Sequence, residues 1–371
     1  MADLQSAEVK LYIYDGDIEN VPDTPNYTLK KTILSGDTHI TFEVSELIKD
    51  HVEIEFDGNY DGLKQTRWVK YTVTRTYDDD TTDSYNVHAI AFRGYGELVD
   101  GINPELSKTL MVSNTVINNY CGEKISVPFY TRPDGVTKVV YADGATDLSS
   151  ETAGSANRYT IAQELKINPP LDDIVTIDKT ASISASPDDS TGVDEVPIDT
   201  DKITYTDSEG EQRSINIECI EECKNEPYKI SFINKFGVMQ DMWFFAKRTD
   251  NVSSERDSYK RAILKTGKDV ASFNIGDHQN VYLENQGRDR ITLNTGFIHP
   301  SYNEVIKQLL VSEYVYIHDK NRMSPTNGLY DLAVPVTVVT NSLDFKTRRN
   351  DKLINYELQF ESDSAVVQNI R

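Results

Sequence analysis

The sequence predicts a mainly β protein of two to three sandwich- or barrel-like domains, with one or two short helices packed on their sheets. Three observations point there. Thr, Ile, Val and Tyr are frequent, with 21 tyrosines, while long Leu/Ala/Glu/Lys helical runs are scarce; β-branched and aromatic side chains suit a pleated, half-buried surface. Short runs alternate apolar and polar residues, the period of a strand with one buried face. Turn signals recur roughly every 8–12 residues, the spacing of sandwiches and barrels. A chain of 371 residues is also long for one domain.

In chain order, strands are expected at 8–14, weakly at 27–33, and at 38–44 and 51–56, the last two flanking a helical turn at 45–49. Strands at 68–77 and 85–92 enclose an acidic hairpin tip, Asp78 to Asp80. These make an N-terminal β domain, 1–95, followed by a Gly- and Pro-containing connector, 96–114. The middle domain, 115–200, is sandwich-like. It has strands at 116–120, 124–130 and 137–141, a Pro133-Asp134-Gly135 hairpin signal, a polar loop at 147–155, a strand at 159–167 and an acidic loop over 172–199.

The C-terminal domain, 201–371, opens with a hairpin at 202–219. The stretch 249–258 is hydrophilic, with a short strand or turn at 259–264 and a strand at 290–294. The best helix follows at 303–312, with Val305, Ile306, Leu309 and Leu310 at helical spacing. Strands at 313–318, 333–340, 343–348 and 352–362 close the chain. Strand, helix, strand around 40–56 is weakly echoed around 291–317.

The chain is organised around 227–247, PYKISFINKFGVMQDMWFFAK, its densest aromatic cluster. Tyr228, Ile230 and Phe232 alternate as a strand, Asn234 to Gly237 forms a tight turn, and 238–245 returns. Successive side chains point to opposite faces. Trp243 and Phe245 therefore share one face, Met242 and Phe244 the other, and both need a cover. Two readings stand: a central hairpin in a β core, or an aromatic face shared with another subunit. Phe236, Trp243, Phe244 and Phe245 are the candidate interface residues.

The net charge of −22 argues against phosphate neutralisation, so no sequence-specific nucleic-acid contact is expected, and against docking on anionic lipid. The chain starts without a charged-then-apolar leader and has no run of about 18 apolar residues, so no membrane insertion is expected. Catalytic and metal sites are not indicated, and no cofactor is implied. The six histidines are scattered, and no GxSxG or HExxH occurs. The three cysteines, Cys121, Cys219 and Cys223, imply no disulfide framework. Cys219 and Cys223, four apart and about 13 Å along a strand, read as free thiols that structure does not need.

LYIYDG, ITFEVSELIKDHVEIEF, GYGELVDGINPELSKTLMVSN, ISVPFYT, KISFINKFGVMQDMWFFAK, ITLNTGFIHPSYNEVIKQLLVSE and NDKLINYELQFE together resemble a group of virion structural proteins from tailed, largely marine, bacteriophages. The likeness spans Val9 to Phe360 and is weakest over 172–199. It implies a non-enzymatic virion subunit of tail, baseplate or neck, assembled in the host cytoplasm with other virion proteins and copies of itself in a ring or tube. It carries over no site residues. The alternative is a carbohydrate- or receptor-binding module of a phage adsorption apparatus, with exposed Tyr and Trp stacking on sugars.

Overall fold

A computed structural model describes the chain except for residues 1–2, 16–17, 61–64, 102–110, 131–135, 153–157, 163–191, 197–199, 223, 267–270, 324–329, 346–352 and 364–371. The protein is mainly β, in several separate sheets. β1 (Leu4–Tyr14), β2 (Tyr27–Thr32), β3 (Thr66–Tyr77) and β4 (Thr82–Phe92) form an antiparallel sheet in the order β2-β1-β3-β4. Leu11, Ile13 and Val69 on one face pack under Ile48 of helix α1 (Ser45–Lys49) and Val52. Residues 38–44 and 51–56 alternate as expected but join no strand. Val52, Ile54 and Phe56 are buried between exposed Glu53 and Glu55, so the alternation records one-sided burial rather than ladder bonding. Without those strands the echo of the 291–317 unit does not hold in this half.

The middle unit is a sandwich. β6 (Ile125–Phe129), β9 (Arg158–Ala162) and β10 (Gly192–Val196) make one sheet. β5 (Val116–Tyr120), β12 (Gln212–Ile220), β11 (Lys202–Asp207), β7 (Val136–Asp143) and β8 (Thr146–Thr152) make the other, in that order. Val127, Phe129, Tyr141, Ile203, Tyr205 and Ile215 fill the core between them.

Four expectations are corrected here. The unit does not end at 200, because β11 and β12 are inner strands of its larger sheet. β6 and β7 lie in different sheets, so the Pro133-Asp134-Gly135 segment, itself outside the described residues, joins sheets rather than a hairpin. The polar stretch 147–155 contains β8, an edge strand, whose position requires little apolar content. Of the acidic loop, 192–196 pairs in parallel with β9, and 172–191 lies outside the described residues.

The cysteines are the fifth correction. β5 and β12 run parallel, Ile220 opposite Tyr120, and this brings Cys121 to Cys219 in a disulfide with a Cα–Cα distance of 5.1 Å across 98 residues. Counting spacing between neighbouring cysteines cannot find a bond made by strands that far apart. Cys223 lies outside the described residues. A loop of about 100 residues restricts the unfolded chain by about 4–5 kcal/mol in the chain-entropy account. Cys121→Ser or Cys219→Ser is therefore expected to lower stability by up to about 4 kcal/mol. In urea unfolding, reductant should lower the wild-type midpoint and leave the double variant unmoved.

The C-terminal unit is an antiparallel sheet ordered β14-β13-β19-β20-β21-β18-β15. Its strands are β13 (Tyr228–Ile233), β14 (Met239–Phe244), β15 (Thr249–Lys260), β18 (Asn280–Asn294), β19 (Val315–Met323), β20 (Tyr330–Val338) and β21 (Glu357–Ser362). A small pair, β16 (Leu264–Thr266) with β17 (Ala271–Phe273), lies beyond β15. Helix α2 (Tyr302–Val311) crosses one face, burying Tyr302, Val305, Ile306 and Leu309. The hydrophilic 249–258 is strand after all. β15 is an edge with both faces exposed over much of its length, so no apolar alternation marks it. Residues 343–345 join no strand, and 346–348 lie outside the described residues. Among the described residues no helix is long and apolar enough to cross a membrane.

Candidate functional site

The β13–β14 hairpin is where the three units meet. Direct pairs share a face, so Ile230 opposite Met242 and Tyr228 opposite Phe244 look one way, and Ser231 opposite Asp241 and Lys229 opposite Trp243 the other. The first face lies under α2: Ile230, Phe232, Met242 and Phe244 join Val305, Ile306 and Leu309 in one core. The second face receives the other two units. Trp243 donates its Nε1 proton to Asn119 Oδ1 at 2.9 Å and packs beside Tyr120, both of β5. Ile233 and Met239 join Ile54, Phe56 and Tyr60 of the N-terminal unit.

The four candidate interface residues are accounted for inside one chain. Phe236, Trp243, Phe244 and Phe245 are 4%, 3%, 0% and 4% exposed. Phe244 meets Phe360 edge-on at 5.9 Å, Trp243 and Phe245 stack at 6.5 Å, and Phe236 joins the junction cluster. Their surface is consumed by the chain's own units, which corrects the expectation that they face another subunit. Both faces are covered as the alternation requires, one by helix α2 and the other by the two remaining units.

Polar groups seal the same junction. Asn234 holds the turn, accepting from Phe236 N at 3.0 Å and donating to Met111 O at 2.7 Å and Gln240 Oε1 at 3.0 Å. Gln240 donates on to Asn114 Oδ1 at 3.1 Å. Gln308 of α2 accepts from Lys235 N at 3.3 Å and donates to Ser113 Oγ at 2.6 Å. The connector and the hairpin turn are thus joined by buried amides, which are costly to leave unpaired.

Deeper on the second face, Ser231 Oγ donates to Asp241 Oδ1 at 2.5 Å and lies 2.7 Å from His318 Nε2. Tyr60 also donates its hydroxyl to Asp241 Oδ1. Burial, then the Asp241 charge, pushes the Tyr60 phenol well up, so it stays a donor. Ser, His and Asp converge here, but not as a nucleophilic relay. In a relay the carboxylate orients the histidine; here Asp241 bonds the serine and the tyrosine, and its Oδ2 is buried without a hydrogen-bond partner. Ser231 is 0% and His318 2% exposed, so a substrate has no approach. Sequence reading missed this cluster because Tyr60, Ser231 and His318 are far apart in the chain. Among the described residues no three His, Cys, Asp or Glu converge as metal ligands.

Ion pairs latch the rim. Arg93 Nη2 reaches Glu313 at 2.7 Å, and its Nη1 donates to Val52 O at 2.7 Å and Lys49 O at 3.2 Å, at the end of α1. Lys49 Nζ reaches Glu313 at 2.8 Å, and Lys307 Nζ reaches Glu97 at 2.5 Å. Hydrogen bonds from Lys49 and Arg93 hold the Glu313 carboxyl below its usual range. A depressed folded value means the latch contributes above the unfolded carboxylate value and is lost as pH falls through the lower folded one. The N-terminal unit should therefore loosen from α2 and β19 only once the pH falls below the ordinary carboxylate range, read by limited proteolysis of the connector. Glu313→Gln should show the same loosening at neutral pH and cost under about 1 kcal/mol globally, since the Glu313 carboxylate is half-exposed.

No protein-family model matches the chain, and none of the curated proteins matches it in sequence.

Proposed function

We propose that the chain is a structural subunit of a tailed-bacteriophage virion, of the tail, baseplate or neck, acting by assembly with other virion proteins and with copies of itself in a ring or tube. The observation that carries this reading is the sealed hub. The densest aromatic cluster and a buried polar network serve to fix three β units to one another, and among the described residues long strands lie at the sheet edges. A body of that kind presents surfaces, which is what a particle subunit needs. The virion context itself comes from the sequence resemblance. The net charge of −22 fits a wall past which DNA moves without adhering.

The test is mass spectrometry and cryo-electron microscopy of purified phage particles whose genome encodes the chain. The expected result is a stoichiometric band and density for three β units in a ring or tube. Absence from particles overturns the reading. A glycan- or receptor-binding module is the rival. Trp68 and Trp243 are buried, so stacking on sugars would fall to tyrosines such as Tyr85 and Tyr259, 45% and 47% exposed. Glycan-array binding abolished by Tyr85→Ala or Tyr259→Ala would favour it.

A further inference from the structure

The β15–β18 hairpin leaves its own sheet. β18 pairs with β21 over 290–294, while its pairing with β15 runs on from Thr249 opposite Thr292 to Lys260 opposite Asn280. The outer part is a two-stranded ribbon, roughly 25–30 Å long at ~3.3 Å per residue, with the β16–β17 pair beyond. Such a ribbon is marginal alone in water. This one exposes Val252, Tyr259, Leu264 and Ile275, from 47% to 94%. Among the described residues β15 ends the sheet, which leaves its outer backbone groups for another strand.

Charge selects the occupant. Between Thr249 and Asn294 there are seven Lys/Arg and seven Asp/Glu, so the rest of the chain carries the whole net −22. Within the arm, Arg256, Lys260, Arg261 and Lys265 stand against Asp257 alone over 256–265. Copies of this chain repel one another elsewhere and are not repelled at the arm. A matching surface lies on the N-terminal sheet. β4 is its last strand, with Tyr85 and Val87 each 45% exposed, and exposed Asp78, Asp79 and Asp80 form the turn that precedes it.

We propose that the β15–β18 arm of one subunit docks along edge strand β4 of a second copy of this chain. Tyr259 and Leu264 cover Tyr85 and Val87, and the exposed cations Lys260 and Arg261 face the 78–80 turn. Added strands gain main-chain bonds, and side chains on alternate positions set the register. Arm and edge are different surfaces, so the contact is head-to-tail and propagates into a ring or filament. The inference rests on the reading that the chain assembles with copies of itself.

The experiment is sedimentation velocity on the full chain over a wide concentration range. Wild type should self-associate. The arm variant Lys260→Glu with Arg261→Glu, and the edge variant Val87→Lys, should each require about tenfold higher concentration or more. Mixed together they retain one intact arm and one intact edge, and should form heterodimers that grow no further. Hydrogen exchange on unmutated protein gives a readout that no folding defect affects: amides 84–88 should slow as concentration rises. Monomeric wild type, variants that associate like wild type, a mixture that stays monomeric, or unchanged exchange at 84–88 overturns the proposal. Self-association through the arm in a protein absent from particles overturns the virion reading alone; the protein in particles with an arm remote from β4 overturns the docking alone.

Discussion

Phe244→Ala should lower the free energy of unfolding by about 3–5 kcal/mol, the usual cost of truncating a buried aromatic. The side chain is 0% exposed, meets Phe360 edge-on at 5.9 Å, and belongs to the core that α2 closes. Alanine removes the ring and leaves a void walled by a rigid strand on one side and a helix on the other, so collapse is incomplete. Urea unfolding followed by circular dichroism reads the loss, and a cost under about 1 kcal/mol would mean the site relaxes as a loose surface does. Trp243→Ala offers the contrast. It deletes the bond to Asn119 and the contact with Tyr120, both made to the sandwich. Its signature should be early proteolysis around 221–227, where the sandwich passes into the hairpin, before global unfolding.

Those two residues also show how far the sequence could be read. Alternation placed Phe244 and Trp243 on opposite faces, and helical spacing found the helix that covers Phe244, because both patterns are local. The cover over Trp243 comes from β5, more than a hundred residues earlier, and no local pattern points to it. The same limit hid the partnership of Tyr60 with Asp241 and of Cys121 with Cys219. β8 lies in a stretch that reads as a polar loop and β15 in one that reads only as hydrophilic, for a different reason. Edge strands exposed to water carry no apolar period, so their strand character comes from neighbours rather than from their own side chains. Residues 51–56 fail the other way: their alternation is real, but it serves a junction and not a sheet.

Gly237→Ala should be among the most damaging single changes at the hub. Gly237 sits at φ +77, where an L side chain is strained by about 1–2 kcal/mol. A Cβ there would also lie 2.5 Å from Gly94 N and 2.7 Å from Arg93 N and C, all backbone atoms that cannot rotate away. The turn and the 93–95 segment would have to part. That would break the bond from Tyr95 N to Lys235 O, now 2.8 Å, and shift Arg93 from Val52 and Glu313. Gly94→Ala separates the two causes. Its φ is not positive, yet its Cβ would meet Lys235 O at 2.6 Å, so it tests the clash alone. Gly122→Ala tests the strain alone, with φ +85 and nothing within 4 Å. In thermal unfolding Gly122→Ala should lose about 1–2 kcal/mol, and Gly237→Ala clearly more than that. Gly94→Ala should, like Gly237→Ala, also free the N-terminal unit to proteolysis. If Gly237→Ala costs no more than Gly122→Ala, the hairpin turn and the 93–95 segment do not touch as backbone against backbone, and the N-terminal unit is held to the hairpin by side chains alone.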